Sequence, residues 1–148
     1  MSITVRPVTP GDGVAWRRLY DGYATFYKRE MTDAIAGSVW NWLHDPSHEL
    51  DGLVAETENG ELVGLAHYRR MPSPLRGGDV GFLDDLFVEP AQRGSGAAKA
   101  LIDAVAEAAR TRGWPVVRWI TADDNYRARG LYDRLAVKTS WNLYELAP

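Results

Sequence analysis

The run Asp84-Asp85-Leu86-Phe87-Val88-Glu89-Pro90-Ala91-Gln92-Arg93-Gly94-Ser95-Gly96-Ala97-Ala98 constrains this chain most. It reads as a strand that passes through a glycine-rich turn into a helix. The strand closes on an apolar stretch, Leu86-Phe87-Val88. Pro90 ends the ladder because it has no N–H to donate. Gly94 and Gly96 remove the Cβ atoms that would keep a ligand away from the backbone. The helix that follows opens with unpaired N–H groups and the positive end of its dipole, which together favour an anion. The run therefore points to a phosphate-bearing ligand.

Two common phosphate loops do not fit. A P-loop needs Gly-Lys-Ser/Thr after a first Gly and four residues, but Lys99 lies between Ala98 and Ala100. The dinucleotide fingerprint Gly-x-Gly-x-x-Gly would need Gly or Ala where Lys99 stands, and it belongs to a first strand. A third pattern does fit. Arg93-Gly94-Ser95-Gly96-Ala97-Ala98 resembles Gln/Arg-x-x-Gly-x-Gly/Ala, the pyrophosphate signature of the GNAT acetyltransferase superfamily. Asn125-Tyr126-Arg127-Ala128-Arg129-Gly130-Leu131-Tyr132 resembles its second signature, Asn-x-x-Ala-x-x-Leu/Phe-Tyr. Phe82 to Val88 is similar to the fourth strand of the spermidine/spermine N-acetyltransferases. The resemblance covers about residues 50–135 and rests on order and spacing as much as on either motif.

Composition agrees with one globular enzyme domain over residues 1–148. Hydrophobic residues make up 45% and charged residues 25%, ordinary values that allow a proper core. No apolar run approaches the ~20 residues of a membrane span, and Met1 to Arg6 has no signal-peptide core. With no cysteine, a disulfide, a thiolate metal site and a Cys nucleophile are all excluded. A cytoplasmic location is expected. The net charge of −3 and the lack of a basic block argue against nucleic acid and fit a cationic substrate.

The periodicity predicts a strand at Ile3-Thr4-Val5-Arg6 and a capped helix start at Thr9-Pro10-Gly11-Asp12. Helices follow over about 14–27 and 33–43, the second capped by Thr32. Leu53 to Glu56 and Leu62 to Tyr68 read as a hairpin turning at Asn59-Gly60. Pro72 to Gly78 reads as a loop before the long strand ending at Val88. Ala97, Leu101, Ala104, Val105 and Ala108 form one helical stripe closed by Gly113. Val116 to Ile120 reads as a buried strand, 125–135 as a helix capped by Asn125, and Trp141 to Leu146 as a last strand. The order β-α-α-β-β-β-α-β-α-β gives an α/β fold. The resemblance implies the GNAT arrangement, a mixed, largely antiparallel sheet flanked by helices.

Acetyl transfer to an amine needs three things. The amine must lose its proton, because an alkylammonium with a pKa of about 10.4 has no lone pair at neutral pH. The thioester carbonyl must be polarised, and the leaving thiolate gains from a proton donor. The adjacent acids Asp84 and Asp85 should point to opposite faces of their strand. A solvated or salt-bridged pair near Arg69, Arg70 or Arg118 would explain them without catalysis. The resemblance implies that Asp84 is the base, directly or through water, where the family has a longer Glu. It implies that Tyr132, otherwise a core tyrosine on the face of Ala128 and Leu131, is the acid. Acetyl-CoA is the implied cosubstrate. The implied cradle for its pyrophosphate is Arg93, Gly94, Ser95, Gly96, Ala97 and Ala98. Leu86, Phe87 and Val88 would pair with the pantetheine arm as an added strand does. A bulge should open that strand. Asn125 would touch the same arm while capping its helix.

The acceptor is less defined. Tyr20, Tyr23, Phe26, Tyr27, Trp40 and Trp42 could line an amine site by cation–π contact or form a helix core. His44, His48 and His67 have no metal spacing, so no metal is expected. The run Leu135-Ala136-Val137-Lys138-Thr139-Ser140 departs from the family's Gly-Phe, a segment that often borders the acceptor or a dimer contact, and a homodimer is admitted. The expected activity is direct transfer of acetyl to a primary amine. A non-catalytic acyl-CoA-binding module and a protein Lys or N-terminal acetyltransferase are the alternatives.

Overall fold

The computed structural model describes residues 2–148. Strand β1 (Ile3–Pro7) turns Ile3 and Val5 inward and Thr4 outward as its sequence predicts, and the alternation stops at the partly buried Arg6. A short 3-10 turn, Pro10–Asp12, then leads into α1 (Gly13–Phe26). The Thr9 backbone N–H donates to Asp12 Oδ2 at 2.8 Å, and the Arg6 guanidinium grips both Asp12 oxygens at 2.8 and 2.9 Å. Helix α2 (Asp33–His44) is capped as expected, with Thr32 Oγ1 accepting from the Ile35 N–H at 3.1 Å.

Strands β2 (Leu50–Thr57), β3 (Leu62–Ser73) and β4 (Gly78–Val88) form an antiparallel meander. Gly60, at φ +80°, makes the first turn. Helix α3 (Ala97–Arg112), strand β5 (Val117–Arg118) and helix α4 (Tyr126–Leu135) complete the chain. The sheet runs β1-β2-β3-β4-β5, antiparallel except for the parallel β4–β5 pair. It is the mixed, largely antiparallel α/β sheet that the sequence implied.

Helices α1 and α2 cover one face, where Trp16, Leu19 and Val39 pack on Val54 and Leu65. Helix α3 covers the other, where Leu101 and Val105 pack on Val63, Ala66 and Leu83, with Leu131 of α4 against this cluster. Because both faces are covered, Leu62 to Tyr68 is buried without a break. The Leu and Val side chains of this run contribute roughly 1.5–3 kcal/mol each when fully buried. Gly22 brings α1 down onto the end of β4: a Cβ there would lie 2.8 Å from Phe87 Cζ.

Three expectations are corrected. Pro72 is no loop residue; it lies in β3 opposite Asp79. It is tolerated because β2 reaches only as far as Arg69, so β3 is an edge there and no ladder hydrogen bond is lost on the free side. Strand β5 holds two residues rather than the five of 116–120, because β4 turns away beyond Phe82. Trp141 to Leu146 forms no strand, and residues 136–148 hold no helix or strand.

The Arg6 hydrogen bonds hold the Asp12 carboxyl at about 2, below its ordinary 3.8. A depressed carboxyl stabilises the fold above its unfolded pKa and loses that effect as pH falls toward the folded one. With Arg6 about a third exposed, Asp12→Asn should cost about 1–2 kcal/mol at pH 7. In urea unfolding the gap to the parent should narrow between pH 5 and pH 3. A gap independent of pH would remove the ion pair from the account.

Candidate active site

The site is built on a fault in the β3–β4 ladder. His67 pairs with Asp85 and Tyr68 pairs with Leu83, so Asp84 faces no partner. It is the extra residue of a bulge, in the strand where one was expected. The bulge breaks strict alternation, which corrects the placing of the two acids on opposite faces. Asp84 and Asp85 both line one cavity of about 350 Å³, with Tyr20, Trp42, Glu49 and Arg69 among its walls.

The two carboxylates have different surroundings. Asp84 is held by Arg69, with Nε at 2.8 Å from Oδ2 and Nη2 at 3.2 Å from Oδ1. Such a two-point pair fixes geometry and offsets charge. Arg69 also stacks 5.0 Å over the Phe82 ring. Asp85 has no such cation among the described residues. Its Oδ2 accepts from Tyr20 Oη at 3.0 Å and lies 2.8 Å from His67 Nδ1. His67 is 0% exposed, and its Nε2 is 3.0 Å from the Trp16 indole nitrogen. An indole N–H can only donate, so Nε2 accepts and Nδ1 carries the proton given to Asp85. Burial pulls the Asp85 carboxyl up, but the contact with His67, by hydrogen bond and by charge, together with the hydroxyls of Tyr20 and Tyr23, outweighs it and holds the group below its ordinary value. Burial, then the charge of Asp85, pushes the Tyr20 hydroxyl up.

Beyond Phe82 the sheet splays. Leu86, Phe87 and Val88 pair with Ala66, Leu65 and Gly64 of β3, while among the described residues no strand lies beside their other edge. A narrow cleft opens there, lined by Tyr23, Tyr27, Leu86, Trp119, Ile120 and Tyr132, and again by Asp84. Tyr132 stands edge-on to Trp119 at 5.4 Å. Burial, with the Tyr27 charge adding to it, pushes its hydroxyl up to about 12, so the proton stays on at neutral pH.

The glycine-rich turn lies at the start of α3. Gly94 and Gly96 take φ +85° and +87°, a left-handed backbone that side-chain-bearing residues resist. Three of the six expected cradle N–H groups are already engaged. Arg93 donates to Pro90 O, Ser95 to Gln92 O, and Ala97 to Ser95 Oγ. Those of Gly94, Gly96 and Ala98 have no partner among the described residues. Alternate free donors over an open surface suit an extended anion with several oxygens, such as a pyrophosphate.

Comparison with known proteins gives the same answer. The profile of the Acetyltransferase (GNAT) family matches residues 15–136. A D-amino-acid N-acetyltransferase of Saccharomyces cerevisiae is 34% identical over 144 residues, covering 97% of this chain and 89% of that protein. This chain belongs to the GNAT acetyltransferase family. A solved ribosomal-protein-alanine N-acetyltransferase from Brucella melitensis biovar Abortus 2308 shares the fold at TM-score 0.82 and 25% identity, covering 99% of each chain. So does an aminoglycoside N-acetyltransferase in complex with CoA, at TM-score 0.81 and 20% identity, covering 99% of this chain and 95% of that one. The protein is thus an acyltransferase, an N-acetyltransferase of the acetyl-CoA-dependent GNAT kind.

The remaining sequence candidates fall as follows in this GNAT enzyme. Asn125 precedes α4, but its side chain does not cap the helix; Nδ2 donates to Thr121 Oγ1 at 3.2 Å. The aromatic group divides. Tyr20 and Trp42 line the cavity, Tyr23 and Tyr27 the cleft, Trp40 packs on Trp16, and Phe26 is exposed. Of the arginines weighed for the acids, the structure selects Arg69. No group of His, Asp or Glu could hold a metal among the described residues. Nor is any described helix long and apolar enough to cross a membrane. Sequence reading missed the link from Trp16 through His67 to Asp85. Its one visible trace is a histidine inside an otherwise apolar strand.

Proposed function

We propose that this GNAT enzyme passes an acetyl group directly from acetyl-CoA to the primary amine of a small acceptor seated in the cavity. The observation that carries the reading is that Asp84 borders both the cavity and the cleft. A group that takes a proton from an amine attacking a thioester must stand where the two substrates meet. The cleft is the side for acetyl-CoA. The N–H groups of Gly94, Gly96 and Ala98 hold the pyrophosphate, Arg93 adds charge, and Ser95 and Ala97 shape the turn. The open edge of Leu86, Phe87 and Val88 pairs with the pantetheine amides, and Asn125 closes the far side.

Asp84 receives the amine proton, directly or through one water, and the Arg69 pair aims it. Tyr132, protonated at neutral pH, gives its hydroxyl proton to the departing thiolate. Cysteine is absent from the chain, which favours direct transfer over a thiol-bound acyl-enzyme. A cavity of about 350 Å³ suits a small molecule. Two acceptor classes have support. Polyamine-like amines follow from the likeness of β4 to the spermidine/spermine branch. Amino acids follow from the Saccharomyces cerevisiae relative. A protein amine is the reading to adopt if no small amine reacts.

We also propose a homodimer formed through the tail. Trp141, Tyr144 and Leu146 are 84%, 90% and 90% exposed and follow a strand pattern without a strand, while the sheet ends on the two-residue β5. A second copy, exchanging tails about a two-fold axis, would bury them. Light scattering should give a dimer mass for the full chain and a monomer mass after deletion of residues 139–148. A monomeric full chain at tens of micromolar would end the proposal.

The activity is tested by thiol release from acetyl-CoA against polyamines, amino acids of both hands, aminoglycosides and Lys peptides. Release that depends on one class names the acceptor. General acid catalysis is worth about 10²–10⁴-fold, so Tyr132→Phe should lower kcat at least tenfold and leave the acetyl-CoA KM within about threefold. Unchanged turnover would remove Tyr132 from the chemistry. Gly96→Asp adds backbone strain and an anion to the turn. Calorimetry should detect no CoA binding to a variant whose circular dichroism is unchanged; normal binding would move the pyrophosphate elsewhere.

A further inference from the structure

The proposed chemistry uses Asp84 and Tyr132 and leaves the Trp16–His67–Asp85 chain without a task. A fully buried histidine is costly unless both ring nitrogens are satisfied. Here both are, and the result is directional. Trp16 donates to Nε2, and His67 Nδ1–H donates to Asp85 Oδ2. Tyr20 donates to the same oxygen. All these donors are neutral, so they fix the carboxylate without cancelling its charge. The neighbouring Asp84 differs, since Arg69 offsets it from 2.8 Å. Asp85 Oδ1 accepts no hydrogen bond within 3.5 Å from the described residues; the nearby Tyr23 hydroxyl, which also lowers the Asp85 carboxyl, donates instead to Asp84 O at 3.4 Å. Asp85 lines the cavity, and its side chain is 19% exposed. One carboxylate oxygen is thus pinned from behind while the other is left to the cavity. Trp42 lines the same cavity and stacks on His48 at 4.9 Å.

We propose that Asp85 is the docking point for a cationic nitrogen of the acceptor, and that His67 and Trp16 are positioning residues that hold Asp85 in place. The proposal rests on the cavity being the acceptor site. The ligand class is an alkylammonium, the form in which an alkylamine exists at neutral pH. A negative charge held by neutral donors in a partly enclosed site binds such a cation far better than a carboxylate already paired with Arg. The aromatic face of Trp42 adds cation–π attraction. The adjacent acids then have separate roles: Asp85 holds positive charge, and Asp84 receives the proton.

The test uses the CoA-loaded full chain with two probes that cannot be acetylated on nitrogen, n-butyltrimethylammonium and neutral n-butanol. Binding is followed by NMR at the tryptophan indole N–H signals. The parent should bind the cation and not the alcohol. Asp85→Asn should weaken the cation roughly tenfold or more and leave CoA affinity unchanged. His67→Leu should weaken it similarly. His67→Gln, which can accept from Trp16 and donate to Asp85, should restore it to within about threefold. Cation affinity unaffected by Asp85→Asn, or equal binding of the alcohol, would overturn the docking role. Equal affinities for the Leu and Gln variants would overturn the positioning role. Should the Leu variant fail to fold, the isosteric Asp85→Asn and the Gln variant still decide. Because these readouts need no turnover, an absence of thiol release would count against the proposed reaction and not against the cation site.

Discussion

Asp84 is an insertion in a ladder that otherwise pairs residue for residue, and the arrangement of the site depends on it. Had β4 continued in register, Asp84 and Asp85 would point to opposite faces. One would then meet the core under α3, where an unpaired carboxylate is costly. The bulge turns both acids toward α1 and α2 instead. It also bends β4 away from β5, and the cleft opens at that divergence. A single unpaired residue thus stands between the cavity and the cleft, and among the described residues its side chain alone borders both.

Placing two carboxylates side by side raises a like-charge problem that the fold resolves unevenly. Arg69 compensates Asp84, and neutral donors support Asp85. Compensating both with cations would leave the cavity without attraction for an amine. Compensating neither would drive one acid to hold its proton. The unequal solution keeps one negative charge available to the cavity. The Trp16 indole N–H, donating to Nε2, fixes the His67 tautomer that presents Nδ1–H to Asp85.

The motif-bearing half of the fold was legible because its signals are local. Gly94 and Gly96 stand where the backbone turns left-handed, Gly113 ends α3 at φ +77°, and Thr32 caps α2. Such signals act over a few residues and leave a mark in the sequence. The left-handed turn at Gly94 and Gly96 was found this way, though which of its N–H groups remain free depends on hydrogen bonds that composition does not record. Arg69, His67 and Trp16 were harder to assign because their roles come from tertiary contacts. Arg69 lies 15 residues and Trp16 51 residues from its partner. No periodicity reports a pairing of that kind. The limits of β3 and β5 were missed for a related reason: they depend on where the neighbouring strand stops.

The tail shows where sequence pattern and structure part. Trp141, Leu143, Tyr144 and Leu146 give this segment apolar side chains on both faces of a strand; they do not state which chain supplies the cover. Within one chain, the bend at Asp84 limits β5 to two residues, too short an edge to hold six more. The same divergence that opens the cleft on one side of β5 therefore leaves the sheet unfinished on the other. In that sense the open cleft and the uncovered tail have one origin. A partner that completed the sheet at β5 would also brace the outer wall of the cleft, where Trp119 meets Tyr132.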